Sequence, residues 1–527
     1  MKRTILALTV VLGSLAIHAA VGEVRRSFSV PFTQPFGLTL QGNDIIVSDR
    51  ESGSYRRFSP ATGTFSETSP LPCERAWGIA ADKTGLWVSD RDTKRLIHFD
   101  PANGISDFTL SELESDPSGL AWSPDGLWTA AGNKIMLLDP TDGTEKISFT
   151  GSSNDMSGVF FDGSYLWLSD RITDRIVVSL PDGTIFGAFP SPGPYPAGLV
   201  RVGNVLWVLD FEKRMLYEVD IAPSSEPFYL GQPHRRTVSY FYTLFNRGPS
   251  SAARGRIYVA IGEDDAHQRI LKGPAFIPQQ VSFVRDGWGQ RFAAVEGDIP
   301  VTKSLALGYL AEIETRDLNY FILPEWVKGI ETIPADIRTA YTRDGSKLQI
   351  NDPTVRDLVK QIVGTEKNPF WIAFKIHKYL HEHIAYERTG GWNAAPVVLK
   401  RGTGSCSEFS FAFIALARAA GLPARYEAGV VVRQDDGSVD EVYHRWPQVY
   451  LPPFGWIPVD PSKGKPATPY EVATSFGSLS HRFFVTTHGG GDSSYLGWTY
   501  NGNAFYEFSG RALIEERAEA KWYPGSF

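Results

Sequence analysis

Five times between residues 35 and 212 the chain repeats one hydrophobic pattern. The segments are PFGLTLQGNDIIVSD, AWGIAADKTGLWVSD, PSGLAWSPDGLWTAA, MSGVFFDGSYLWLSD and PAGLVRVGNVLWVLD. An apolar pair follows each glycine, a polar turn comes next, and an apolar run then ends in a polar residue. The anchoring glycines are Gly37, Gly78, Gly119, Gly158 and Gly198, a period near 40 residues. Trp87, Trp128, Trp167 and Trp207 stand nine places after their glycines, and Asp49, Asp90, Asp170 and Asp210 twelve places after theirs, with Ala131 in the odd unit. Short apolar runs between turn residues predict strands. About four strands in about 40 residues is the size of one propeller blade. The aspartates could face a ligand or metal on an axis, or cap the turns of their own unit. Their recurrence in nearly every unit favours the cap, since repetition serves architecture.

These repeats resemble the NHL and related six-bladed propeller families over residues 24–225. Five units are visible, which predicts five blades, or six with one beyond recognition. The period stops at IAPSSEPFYLGQPHRR, residues 221–236, where proline and serine cluster. Alternating runs such as TVSYFYTLFN, RGRIYVAIG and SLALGYLAEIET then predict an antiparallel β-sandwich over 235–328. From about 330 the period lengthens to three or four. PTVRDLVKQIVG and PFWIAFKIHKYLHEHIAY each start at a proline and predict helices within a last domain, 330–527. The fold class is therefore multidomain: an all-β propeller, a β-sandwich and an α+β domain, each expected to bury its own core.

Composition changes this picture in three places. Fifty glycines, 35 prolines and 14 tryptophans suit a turn-rich β protein. A net charge of −7 and a pI of about 5.9 argue against a nucleic-acid partner. Residues 1–22 read as an export signal: Lys2 and Arg3, an apolar stretch from Ile5 to Ile17, then the small-x-small site Ala20-Val21-Gly22. That stretch is shorter than a spanning helix needs, so the expected location is secreted or periplasmic, with no membrane span. The chain has two cysteines, Cys73 and Cys406, far apart and in different predicted domains, which predicts a free Cys406 rather than a bridge.

Cys406 lies in GTGSCSEFSFAFIALARAAGLPAR. Ser405 followed by Glu408 is a capping box, so Cys406 is the first residue of a helix that Gly421 and Pro423 end. Amides at a helix start and the positive end of its dipole favour a thiolate there, and could stabilise an oxyanion. A thiolate nucleophile needs a base, and the base needs an orienting acceptor. VYHRWPQVYLPPFGWIPVDPSKG supplies both, as two strand-like runs joined by LPPFG. A hairpin centred near 452 pairs residues whose numbers sum to about 904, which sets His444 opposite Asp460.

The blocks GSCSEFSFAFIALARAAGLPAR and HRWPQVYLPPFGWIPVDPSKG resemble the core of the transglutaminase-like superfamily, papain-like Cys-His-Asp enzymes, over roughly 350–470. The resemblance implies Cys406 as nucleophile, His444 as general base and acid, and Asp460 as the residue orienting His444. It also implies that a β-sandwich precedes the core, that the substrate is a protein or peptide, and that no metal or cofactor is required, although some animal relatives use calcium. Arg445 stands where a small residue is common, and Gln448 where an acid is. Trp392 and Trp371 are the candidates for a side-chain oxyanion donor. The function expected is a secreted cysteine peptidase or amidase, ahead of a crosslinking transglutaminase. The rival is a binding protein whose propeller holds a protein or envelope ligand beside an inert site.

Overall fold

The computed structural model describes residues 22–527 except 112, 114–115, 250–252, 389–390, 436, 464–467, 509 and 526–527. The expected export signal lies outside the described residues apart from Gly22. Strands hold 49% of the residues and helices 13%, so the molecule is mostly β, in many small sheets.

Each sequence repeat builds one antiparallel sheet, of four strands except in the first, where Thr64–Phe65 and Ser69–Pro70 both pair with Ser54–Ser59 to make five. The second is typical, with Ala76–Ala81, Leu86–Asp90, Arg95–Asp100 and Ile105–Leu110 in succession. The fifth takes only three strands from its own repeat; its outer strand is Val24–Ser29, which pairs with Met215–Asp220. The conserved spacing of the glycines has a steric cause. A Cβ on Gly37, Gly78, Gly119, Gly158 or Gly198 would lie less than 3.0 Å from backbone of the following sheet, and for Gly198 the following sheet is the first. The five inner strands therefore close on one another in cyclic order. The space they enclose is about 10 Å³, enough for about one water. The repeat aspartates turn back to their own loops: Asp49 accepts from the amides of Gln34 (2.7 Å) and Ser52 (2.9 Å), Asp170 from those of Ile172 (3.0 Å) and Thr173 (3.1 Å), and Asp210 from Lys213 (2.6 Å).

Two further sheets pack face to face. One runs Gln268–Ile277, Ser304–Thr315, His234–Pro249, Ala512–Pro524, Val439–Asp440; the other runs Ser282–Arg285, Arg291–Ile299, Ala253–Ala260, Gly502–Phe508. Val238, Leu244, Ile257, Val259, Leu307 and Trp522 fill the space between them. The sequence boundary at 328–330 missed three of these strands, the short Val439–Asp440 among them. Strands 502–508 and 512–524 come from the far end of the chain, so residues between about 320 and 500 form an insertion into the sandwich.

That insertion contributes six helices among the described residues: α1 (Ala335–Tyr341), α2 (Pro353–Val363), α3 (Pro369–His383), α4 (Ala395–Arg401), α5 (Cys406–Ala419) and α6 (Pro469–Thr474). They accompany a sheet ordered Gly455–Pro458, His444–Leu451, Ala424–Val431, Phe483–Gly489. No described helix is long and apolar enough to cross a membrane. α5 is apolar on nearly every side and buried from end to end.

The expectation that each domain buries its own core does not hold. One apolar cluster runs from Trp167, Phe186 and Phe189 of the repeat sheets through Phe321 and Trp326 into Phe370, Phe374 and Phe413. Phe186 meets Phe370 and Trp371 edge to face, with ring centres 6.0 and 5.2 Å apart. Proline and serine at 221–236 mark a real change of pattern, but not a gap between cores.

Candidate active site

The sequence places Cys406 correctly as the first residue of α5. The backbone N–H of Ser405 donates to Glu408 Oε2 (3.0 Å), one arm of the capping box. Glu408 does more than cap. Fully buried, it also accepts from the amide and side chain of Asn393 (3.1 and 2.9 Å) and from Arg401 (2.9 Å), which fixes the loop carrying Trp392 to the mouth of the helix. Cys406 is 6% exposed, and both cysteines are free thiols.

His444 begins the strand beside α5, and its Nε2 lies 2.7 Å from Asp460 Oδ2. The other ring nitrogen is left for Cys406, whose sulfur and the imidazole act on each other electrostatically. Trp446 and Phe483 stack on the imidazole at centre distances of 5.7 and 5.4 Å, which restricts its tilt. Trp446 is held by its Nε1, which donates to the buried Glu427 (3.0 Å). Asp460 is fixed from behind by the amide and hydroxyl of Ser462 (3.1 and 2.6 Å).

The hairpin register differs from the expected one. Tyr450 pairs with Trp456 and Gln448 with Pro458, so paired numbers sum to 906 rather than 904. The turn is a three-residue loop closed by Gly455, whose φ of +86° suits glycine, and it is centred one residue later than expected. His444 and Asp460 meet all the same because Asp460 has left the ladder. The strand ends at Pro458, Val459 donates to Pro447 (2.8 Å), and the Asp460 amide donates to Ser475 (3.0 Å).

The three groups shift one another. Burial opposes the charge on His444, but the Asp460 carboxylate and the Cys406 sulfur raise it to about 10. Burial likewise pushes the Asp460 carboxyl up, and the imidazolium and Ser462 outweigh it, holding it at about 2. For Cys406 burial favours the thiol, yet the hydrogen bond and charge of His444, with the Arg445 backbone N–H, bring it down to about 7. A buried thiolate–imidazolium pair follows near neutral pH, its imidazolium neutralising one of two anions.

Of the two tryptophans, Trp371 is held among Phe186, Phe370 and Phe374 against the repeat sheets. Trp392, 42% exposed, packs on Phe411 and Tyr500. Tyr500, whose hydroxyl contacts both Cys406 and Ser407, was missed. It arrives from the loop before strand 502–508, and no local motif links it to the cysteine.

Comparison with known proteins agrees with the location of this site. Residues 356–461 match the model of the transglutaminase-like superfamily, so the insertion carries a transglutaminase-like domain. The protein YebA of Bacillus subtilis, described as uncharacterized, is 38% identical over 71 residues, which is 12% of this chain and 10% of that protein. An uncharacterized protein of Haemophilus influenzae is 29% identical over 132 residues, 21% of this chain and 36% of that one. The chain thus spans about a tenth and about a third of these two relatives. Among solved structures, a "Putative Cysteine Protease from Cytophaga hutchinsonii" aligns with a TM-score of 0.40 at 15% identity, over 55% of this chain and 92% of that one. Glutaminyl cyclase of Myxococcus xanthus aligns with a TM-score of 0.34 at 15% identity, over 39% of this chain and all of that one (100%).

Proposed function

We propose that the chain is an exported cysteine acyl-transfer enzyme that cleaves peptide or carboxamide bonds. The observation that carries this reading is the His444–Asp460 hydrogen bond beside a buried Cys406 at the start of α5, with the thiol and the imidazole both shifted toward their charged forms. The Cys406 thiolate attacks the carbonyl carbon, and negative charge develops on its oxygen. The backbone N–H of Cys406, which has no partner within α5, donates to that oxygen, with Trp392 as the side-chain candidate. The His444 imidazolium gives its proton to the leaving nitrogen as the C–N bond breaks, leaving a thioester and a neutral imidazole. His444 next takes a proton from water while the oxygen attacks the thioester, releasing the acid and restoring the thiolate–imidazolium pair. Asp460 keeps the imidazole in one tautomer and supports its charge.

Water, as the solvent, is the default acceptor, so hydrolysis is the primary outcome in this reading; an amine in its place gives transamidation. The five cyclic sheets are a five-bladed propeller that buttresses α3 and α6 rather than an independent module. An electrophilic amide or vinyl-sulfone probe tests the assignment. One equivalent should add to Cys406 by intact mass, and none in C406A. A wild-type chain that takes up no probe, or labels equally well in C406A, overturns it. Supplying a labelled primary amine alongside a glutamine peptide then tells transamidation from hydrolysis.

A further inference from the structure

Arg445 follows His444 directly and is wholly buried, with 0% of its surface exposed. Four aromatic rings enclose its guanidinium, those of Tyr500, Tyr426, Trp392 and Phe411, with centres 4.3, 4.4, 5.0 and 5.3 Å away. Its Nη2 donates to the Trp498 carbonyl, while Nε and Nη1 have no hydrogen-bond partner among the described residues. No carboxylate forms an ion pair with it there. Ring faces recover part of the cost of burying a cation, but a buried guanidinium ordinarily has an anion.

The anion that fits is the sulfur of Cys406. Arg445 follows His444 on the strand beside α5, and one wall of its cage is Phe411, five residues after Cys406 on that helix; the sulfur and the guanidinium act on each other electrostatically. The charges around the site support this. Arg401 is matched by Glu408, and Arg433 by Asp440. Tyr426 and Tyr500 are held as neutral phenols by burial, and Tyr386, also raised by burial, lies near Cys406 with Arg433, Asp460 and Arg388 around it. Glu427, behind Trp446, is raised to about 7 by burial, and Lys463 acts on Asp460 from the exposed side. What remains in the buried site is Cys406⁻, His444⁺ and Asp460⁻, a net charge of minus one that one further cation brings to zero.

We propose that Arg445 is the charge-balancing positioning residue of this site, holding Cys406 in its thiolate form through a guanidinium fixed in an aromatic cage. The proposal rests on the reading of Cys406 as nucleophile. It explains why a cation without a carboxylate partner is kept buried here, since replacing such a group by an apolar one of similar shape is often neutral or stabilising.

The test is the pH dependence of Cys406 alkylation by iodoacetamide, read by peptide mass and independent of any substrate. In R445M the midpoint should rise by about one unit, lowering the alkylation rate at pH 6 about tenfold, while the melting temperature stays at or above the wild-type value. R445K should restore the wild-type midpoint. A folded R445M with an unshifted midpoint overturns the proposal. Should R445M not fold, R445K against R445Q decides the same point: Lys keeps the low midpoint and Gln raises it, and equal midpoints overturn the assignment. A wild-type midpoint in the ordinary thiol range of about 8.5 would instead fail the reading of Cys406 itself.

Discussion

Cys73 is half-buried and Cys406 buried, and their surroundings drive the two thiols in opposite directions. Cys73 lies in the loop entering the second repeat sheet, where burial and the nearby Asp90 carboxylate push it up to about 12; a single backbone N–H, from Arg75, opposes them. Cys406 is buried more deeply but meets an imidazolium and a backbone amide, and it falls to about 7. Burial alone makes a cysteine inert. Only a built hydrogen-bonding environment converts it into a nucleophile. The same contrast separates the aspartates of the repeat sheets, each absorbed by its own turn, from Asp460, which is held on the imidazole.

The largest expected effect belongs to Cys406, the proposed nucleophile. C406A should abolish turnover and probe uptake with the fold intact, because a helix start accepts alanine, while C73A should leave both unchanged. Equal effects of the two substitutions on turnover would erase the contrast. Next, D460N keeps the shape but favours the wrong tautomer, and kcat should fall on the order of 10⁴-fold, the loss seen for the analogous change in a serine triad, with KM little altered. Near-normal turnover would mean that another acceptor orients His444.

Titration sharpens the comparison further. The thiolate form of Cys406 appears as pH rises through about 7, whereas Cys73 stays protonated until about 12. At pH 8 most of the Cys406 population should alkylate, against a thiolate fraction at Cys73 of about one in ten thousand. Equal labelling by peptide mass would contradict it. A fourth test addresses the shared core. F186A removes the ring that meets Phe370 and Trp371 and should cost about 3–5 kcal/mol, with the repeat sheets and the helices unfolding in one transition by circular dichroism. Two separate transitions would restore independent modules. The smallest effect belongs to D49N, which keeps one acceptor for its turn and should change stability by about 1 kcal/mol or less in denaturant titration, with activity unchanged.

What the sequence made legible was local. The capping box, the glycine period and the His–Asp pair each lie within a few residues or one hairpin, and short-range pattern identifies them. The hairpin register slipped because LPPFG admits more than one loop length, and only the paired backbone shows that Gly455 closes a three-residue turn. Trp371 and Trp392 are alike as residues in a sequence; neighbours distant in the chain, Phe186 for one and Tyr500 for the other, set them apart. Strands 502–508 and 512–524 alternate like any edge strand, and nothing near them names their partners. Arg445 shows in the sequence only as a large residue where a small one is common; its cage is assembled from Tyr426, Trp392, Phe411 and Tyr500, which only the fold brings together.

The interlaced strands set an order in time. Val24–Ser29 waits for Met215–Asp220 before the repeat sheets can close, and Arg236 waits for Pro524, across nearly the whole of the intervening chain. Contacts so distant form late and slowly, since the ends of a long loop must be brought together before any pairing repays the cost. Tyr500, the wall of the reactive thiol, hangs from strand 502–508, which pairs back to Ala253–Ala260. A partly synthesised chain therefore holds its cysteine in an unfinished site, and on the proposed reading of Cys406 its reactivity would arrive only with completion.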